Sequence, residues 1–344
     1  GEVQVALTPE DTKRLAGARP VNPEAHDAFL TGSHHWKTLT PWAQDTAQRY
    51  FELALEKDPT YAPAYAGLAW IWAVRQQMQL TLPSEAGPRA RTAAQRAVEL
   101  DDGSALAHEA LAVVRTWTDW DWAGAEEEFR RALELDPAGA NTHAYYALFL
   151  MITGRTGEAV AHSERALELD PHSALFHAFY GGVLLGSRRY EEAIATARNA
   201  LAMQPSLGMA RNTLQHALVC TGRREEMLAV QRQRIARDPE RVTAFEEGLK
   251  EGGYEGAFLR IADLHADRYE RAGGIPDPGE RSSSASWKGR VFMPTSIAWR
   301  YIYAGEYDRA MDWLEKAWAV QSPLMLGVGV SPLYDPLRSD PRFQ

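Results

Sequence analysis

Small and apolar residues recur along the chain at helical spacing, and each such stretch closes on a proline or an aspartate. In one stretch, Ala159, Ser163 and Ala166 occupy positions i, i+4 and i+7 of one helical face, and Pro171 follows. Small side chains on that face let a second helix approach closely. Proline cannot continue the hydrogen-bond ladder of the first helix. The pattern therefore predicts a helix that packs on a neighbour and ends before the proline.

The closing residues stand at a nearly constant interval. Pro137, Pro171, Pro205 and Pro239 are evenly spaced, and Asp102 precedes Pro137 by almost the same distance along the chain. Short turns with glycine, such as residues 153–155 and 221–223, separate each of these helices from the helix before it. A fixed period of about 34 residues predicts a solenoid of helix–turn–helix units, each of which buries its apolar face against its neighbours.

Two units carry aromatic, leucine and glycine positions at the spacing that marks the tetratricopeptide repeat (TPR). These positions are Tyr65, Leu68 and Trp72 in one unit, and Tyr180, Gly181, Leu184 and Tyr190 in the other. The chain resembles a TPR protein over about residues 23–240 and again over 292–323. The resemblance implies an all-α, right-handed superhelical solenoid of about seven or eight helix–turn–helix pairs.

The regularity of the repeat changes along the chain and predicts five regions. Residues 1–22 form a linker from an upstream module, and residues 23–240 hold repeats one to six. Residues 241–291 hold a degenerate helical repeat and a Gly/Pro/Ser-rich loop, which is either a spacer or a binding element; its composition favours a spacer. Residues 292–323 form a last TPR-like repeat, and residues 324–344 cap it.

Both ends of the chain resemble a bacterial signalling subfamily. The resemblance rests on Val5–Glu10 and Ala18–Leu30 at the start and on Tyr334–Phe343 at the end. In that subfamily the TPR array follows a nucleotide cyclase, a winged-helix DNA-binding domain or a Ser/Thr kinase. The resemblance implies that this chain is the regulatory array of a larger protein, and the first residue, which is Gly and not Met, leads to the same expectation.

Charge and composition exclude several classes of function. The net charge of −9 makes a nucleic-acid or anionic-membrane surface unexpected, and no apolar run approaches the length of a membrane span. Five arginines within residues 223–237 offer a rival nucleic-acid contact, although alternating helix charge favours a solvated face. Cys220 is the only cysteine, so no internal disulfide can form, and a cytoplasmic location is expected.

No constellation of residues predicts catalysis or metal binding. His108 and Glu109 begin like a zinc-protease helix, but Ala112 stands where the second histidine ligand is needed. Asp119 and Asp121 are either a metal or catalytic pair or part of a helix N-cap, and their place in a turn favours the cap. The sequence therefore predicts a protein without enzyme activity and without a cofactor.

In TPR proteins the first helix of each unit lines the concave face, and the resemblance implies which positions point into it. Those positions hold apolar, aromatic and methionine side chains with no lysine, which suits an apolar peptide or helix better than a terminal carboxylate. The implied partner-binding groove consists of Trp70, Val114, Trp117, Asn141, Leu148, Met151, Leu175, Leu185, Met209, Asn212 and His216.

Two interpretations of these groove positions remain open. They bind a protein or peptide partner, or they pack beneath the chain's own termini or simply thicken its core. The first interpretation predicts a non-catalytic interaction scaffold within a bacterial regulator. Its rivals are a self-association module and a regulatory array attached to a cyclase or kinase domain outside this chain.

Overall fold

The computed structural model describes residues 21–36, 40–77, 80–81, 83–271, 274 and 294–343. The predicted linker 1–22 and the Gly/Pro/Ser-rich stretch lie almost wholly outside this part. The helices are α1 Pro23–Trp36, α2 Pro41–Lys57, α3 Ala62–Gln77, α4 Pro83–Leu100, α5 Ala105–Val114, α6 Trp122–Leu135, α7 Ala140–Ile152, α8 Thr156–Leu169, α9 Ala174–Gly186, α10 Tyr190–Met203, α11 Gly208–Cys220, α12 Arg224–Ile235, α13 Pro239–Arg271, α14 Pro294–Tyr303 and α15 Tyr307–Ala319.

Successive helices pack in pairs, and each pair packs on the next. The described residues contain no strand, so the predicted all-α solenoid of the TPR type is confirmed. Helix α13 bends at Gly252 and Gly253, whose φ of 63° is in the left-handed region, and its two halves form one unit. The described part of the chain therefore holds eight units. In each unit the "first helix" is α1, α3, α5, α7, α9, α11, the first half of α13 or α14.

Small residues decide how closely the helices approach. The ring of Phe51 on α2 lies between Gly32 on α1 and Gly67 on α3, and a Cβ atom added at either glycine would lie 2.7 Å from that ring. In the bent unit, Gly248 and Gly256 bring the two halves of α13 into backbone contact. The irregular seventh unit thus also packs through glycine.

The predicted turn glycines take left-handed conformations. Gly154 has a φ of 83° and Gly222 a φ of 67°, which glycine adopts without strain. Arg188 is the equivalent position of the unit between them, and it also has a positive φ of 61°. A residue other than glycine loses about 1 kcal/mol or more of stability in this conformation. Arg188 must therefore gain its stability from other contacts.

The chain continues beyond α15 in three short 3₁₀ turns, Pro323–Gly327, Pro332–Leu337 and Pro341–Phe343. We call residues 323–343 the C-terminal segment. It contacts α15, and it also reaches α3, residues 115–119 of the third unit and α11 of the sixth. The segment therefore joins units that are far apart in the repeat order.

Candidate functional site

Aromatic side chains of the first helices form a continuous ladder. The Trp36 ring lies 5.2 Å from that of Trp70, and Trp70 lies 4.4 Å from Tyr145, centroid to centroid. Tyr145 in turn contacts Trp117 at 5.8 Å and Phe179 at 4.9 Å. Because these rings come from α1, α3, α7, α9 and the helical turn at 115–119, the ladder links units one to five, and the contact of Trp70 with Tyr145 joins units two and four directly.

Five of the predicted groove residues are buried in the fold. Trp70 is only 2% exposed, so a partner cannot reach it in this conformation. The same holds for four further residues, which are Val114, Trp117, Leu185 and His216. Trp70 and Trp117 belong to the aromatic ladder, and His216 packs on Trp299 and Tyr303. These five positions hold units together.

The other six predicted groove residues keep part of their surface open. Met209 on α11 is 41% exposed, and the remaining five are half-buried. All lie on α7, α9 and α11, which are the first helices of three successive units. We call this set the first-helix surface, and it comprises Asn141, Leu148, Met151, Leu175, Met209 and Asn212.

The C-terminal segment packs apolar side chains against first helices. Leu326 lies half-buried on the core cluster that contains Trp70 and Trp117. Further along, the Tyr334 hydroxyl accepts a hydrogen bond of 2.6 Å from Trp299 Nε1, and the turn that holds Tyr334 contacts α11. A chain without α-helical structure thus already contacts the first helices of units two and six and residues 115–119 of unit three.

An ion pair anchors this segment to the turn of the fifth unit. Both terminal nitrogens of Arg188 donate to the Asp335 carboxylate, at 2.5 Å and 3.0 Å. This bidentate pair accounts for an arginine where neighbouring units have a turn glycine. Glycine has no side chain that could form this ion pair. The anchor therefore requires arginine at this position, although its backbone conformation is strained.

Glu109 is a buried carboxyl beside the first-helix surface. Its oxygens accept hydrogen bonds from Thr142 Oγ1 at 2.5 Å and from Asn141 Nδ2 at 2.6 Å. Burial raises the pKa of Glu109 to about 7, against the lowering effect of these two bonds. The group therefore holds the amide of Asn141 in place and carries only part of a negative charge at neutral pH.

The residues considered for catalysis have structural partners. Asp121 caps α6 by accepting from the Gly124 backbone, and Asp119 pairs with Arg91. His108 lies 2.5 Å from Glu128 and bonds the Asp102 carbonyl. Within the described ranges, no group of three or more potential metal ligands comes together, and no helix is long and apolar enough to cross a membrane.

The repeat interval alone points to members of the ladder that the sequence prediction missed. Trp36 stands one full repeat before Trp70, and Phe179 stands one full repeat after Tyr145. Each pair therefore occupies one position of the repeat in different units. The ring of Trp36 contacts that of Trp70 directly.

Comparison with known proteins supports the fold. The structure resembles human IFIT1 dimer with m7Gppp-AAAA, with a TM-score of 0.58, 16% identity and coverage of 85% of this chain and 72% of that one. For a monomeric IFIT1 mutant with m7Gppp-AAAA, the TM-score is 0.57 and the identity 16%, with coverage of 90% of this chain and 75% of that one. For TTC0263, a TPR protein of Thermus thermophilus, the TM-score is 0.44 and the identity 19%, with coverage of 57% of this chain and 99% of that one. No protein-family model and no curated protein matches the sequence.

At these identities the likeness concerns the fold and not the ligand. IFIT1 carries a capped RNA in its structures, whereas the expectation for this chain, drawn from its net charge, is that it binds no nucleic acid. That expectation stays a prediction.

Proposed function

We propose that the chain is a non-catalytic scaffold whose first-helix surface binds a peptide or a segment of a protein. The observation that carries this proposal is the position of the C-terminal segment. Its 3₁₀ turns place Leu326 and Tyr334 against first helices or the cores they build. A superhelix that accommodates its own irregular chain against α3 and α11 offers the same type of surface to another chain on the first helices between them.

The exposed chemistry of α7, α9 and α11 suits such a ligand. Leucine and methionine side chains supply adaptable apolar contacts, and the amides of Asn141 and Asn212 can bond a peptide backbone. Resemblance of both chain ends to a bacterial signalling subfamily supports the further proposal that this scaffold is the regulatory array of a larger cytoplasmic regulator.

Panning a random peptide library against the full chain tests the binding proposal. Selected peptides should bind saturably, and Leu175→Glu combined with Met209→Glu should weaken them at least about tenfold, because two charges would enter an apolar contact. Met203→Glu is a matched control, since Met203 is 48% exposed on the second helix α10. The proposal fails if no peptide is selected, or if binding is equal in all variants.

The buried tryptophans are unsuitable for this test. Truncating Trp70 or Trp117 would remove packing from the aromatic ladder and cost about 3–5 kcal/mol of stability. A loss of binding in those variants would therefore report on folding. Met209 is 41% exposed, so the single variant Met209→Glu avoids this ambiguity.

A further inference from the structure

Residues 324–331 of the C-terminal segment run between two buried anchors. We call these residues the strap, and each of them keeps part of its surface open. Before the strap, the buried Thr295 hydroxyl donates to the buried Ser322 hydroxyl at 2.8 Å. After it, the hydrogen bond from Trp299 to Tyr334 joins two further buried side chains. The strap is therefore packed less tightly than the chain on either side of it.

The backbone of the strap makes only local hydrogen bonds. The Met325 N–H donates to the Ser322 carbonyl. The N–H groups of Val330 and Ser331 both donate to the carbonyl of Gly327. In the part of the chain that the structure describes, no backbone hydrogen bond joins the strap to a helix of the array. Opening the strap therefore breaks side-chain contacts and leaves the helical ladders intact.

The side chains of the strap bridge two core clusters. Leu326 packs on the cluster built by units two to five, and its 3₁₀ turn contacts α3 and residues 115–119. Leu324, Met325 and Val328 pack on the cluster built by units five to eight. Because these side chains are only half-buried, each contributes part of what a fully buried apolar side chain contributes. The closed strap thus holds the two parts of the array together through modest contacts.

Strained backbone accompanies the C-terminal segment. Among the described residues, the positive φ values outside glycine are 57° at Trp120, 61° at Arg188 and 47° at Gln321. Gln321 lies just before the segment, Arg188 binds Asp335, and the Trp120 ring lies 5.4 Å from that of Trp318 on α15. Strain of this kind persists only where surrounding contacts hold it, and it is frequent in segments that switch between conformations.

We propose that the strap is a built-in competitor of the peptide ligand. This inference rests on the proposed binding function of the first-helix surface. The C-terminal segment contacts α3 and α11, and α7 and α9 lie between these two helices in the repeat order. A peptide on α7, α9 and α11 therefore meets the strap, which must leave α3 and residues 115–119 to admit it. The apparent affinity of the chain is then reduced by the fraction of molecules whose strap is open.

Fluorescence anisotropy of a labelled synthetic peptide of residues 322–333, titrated with the full chain, tests the proposal. In the variant Leu326→Ala the strap loses its contact with the first cluster, whereas the added peptide keeps its leucine. The open fraction rises, so the peptide should bind this variant at least about fivefold more tightly than the original chain. Val330→Ala is the matched control, because Val330 is half-buried in the strap and is not one of the residues packed on either cluster.

Amide hydrogen exchange provides a second measurement of the same opening. Exchange in the strap should be faster in Leu326→Ala than in the original chain, while exchange in the helices stays unchanged. Equal affinity for the peptide in the two chains overturns the proposal, and so does an equal gain in Val330→Ala. Faster exchange throughout the chain also overturns it, because the substitution then loosens the whole fold.

Met325→Ala replaces Leu326→Ala if the latter shows no cooperative melting transition, and the same gain is expected because Met325 is also half-buried in the strap. Peptides selected by panning separate this inference from the proposed function. If they bind the original chain and Leu326→Ala equally, the strap does not compete, and the inference fails while the binding function stands. Panning that yields no peptide retires the proposed function alone, because the peptide of residues 322–333 tests the opening of the strap without it.

Discussion

Replacing Glu109 by Gln should stabilise the fold at alkaline pH. The carboxyl is only 4% exposed and lies against Thr142 and Asn141. Burial raises its pKa from 4.5 to about 7. Glutamine is neutral at every pH, and its amide can donate to the Thr142 hydroxyl while its oxygen accepts from Asn141. The substitution therefore removes a titrating group and can retain both contacts.

The magnitude follows from the difference between the folded and unfolded pKa values. In the unfolded chain Glu109 loses its proton near pH 4.5, whereas in the fold it keeps it until about pH 7. Over that interval the folded state binds more protons, so the free energy of unfolding falls as pH rises. The loss reaches about 3 kcal/mol at pH 8, at 1.36 kcal/mol per pKa unit, and is absent below pH 4.5.

Urea denaturation at several pH values between about 4.5 and 8, at constant ionic strength, measures this effect. The stability of Glu109→Gln minus that of the original chain should grow by about 3 kcal/mol across the range. Glu127→Gln, an exposed position on α6, is the control and should show a difference near zero. A pH-independent difference for Glu109→Gln would refute the reasoning.

Three further changes have distinct expected outcomes. His143 and His162 place their Nδ1 atoms 2.8 Å apart, and burial lowers the pKa of both, so stability falls as pH drops below 6.5. His162→Gln should reduce that fall in thermal melts. Gly67→Ala should cost about 1–3 kcal/mol in urea denaturation, because its Cβ would meet the Phe51 ring at 2.7 Å. Arg188→Gly should change stability by less than about 1 kcal/mol, since it loses an exposed ion pair and relieves strain, but should speed amide exchange in the C-terminal segment.

Each of these has a result that would contradict it. Gly157→Ala is the control for Gly67, since a Cβ added at Gly157 meets nothing within 4 Å, and an equal loss in both would remove the steric explanation. If the stability of His162→Gln falls below pH 6.5 as much as that of the original chain, the fall does not come from this histidine pair. Unchanged exchange in Arg188→Gly would show that the Asp335 ion pair does not hold the C-terminal segment.

The candidate site shows where prediction from sequence stops. The first-helix positions follow from the repeat, and the sequence left open whether they bind a partner or thicken the core. In the structure Trp70 and Trp117 pack in the ladder, whereas Met209 stays exposed. Which side chain is covered depends on units that are not adjacent in the repeat. For example, Trp70 on α3 meets Tyr145 on α7, and one period of sequence carries no signal for that contact.

The sequence by itself determined the helix pairs, the glycine turns at 154 and 222 and the TPR type of the solenoid, because these depend on residues within one repeat unit and its neighbour. Only the tertiary structure decided the path of the C-terminal segment and which of the first-helix side chains are covered. Both depend on the curvature of the whole array, which is the sum of small rotations between units. Local patterns leave that sum undetermined.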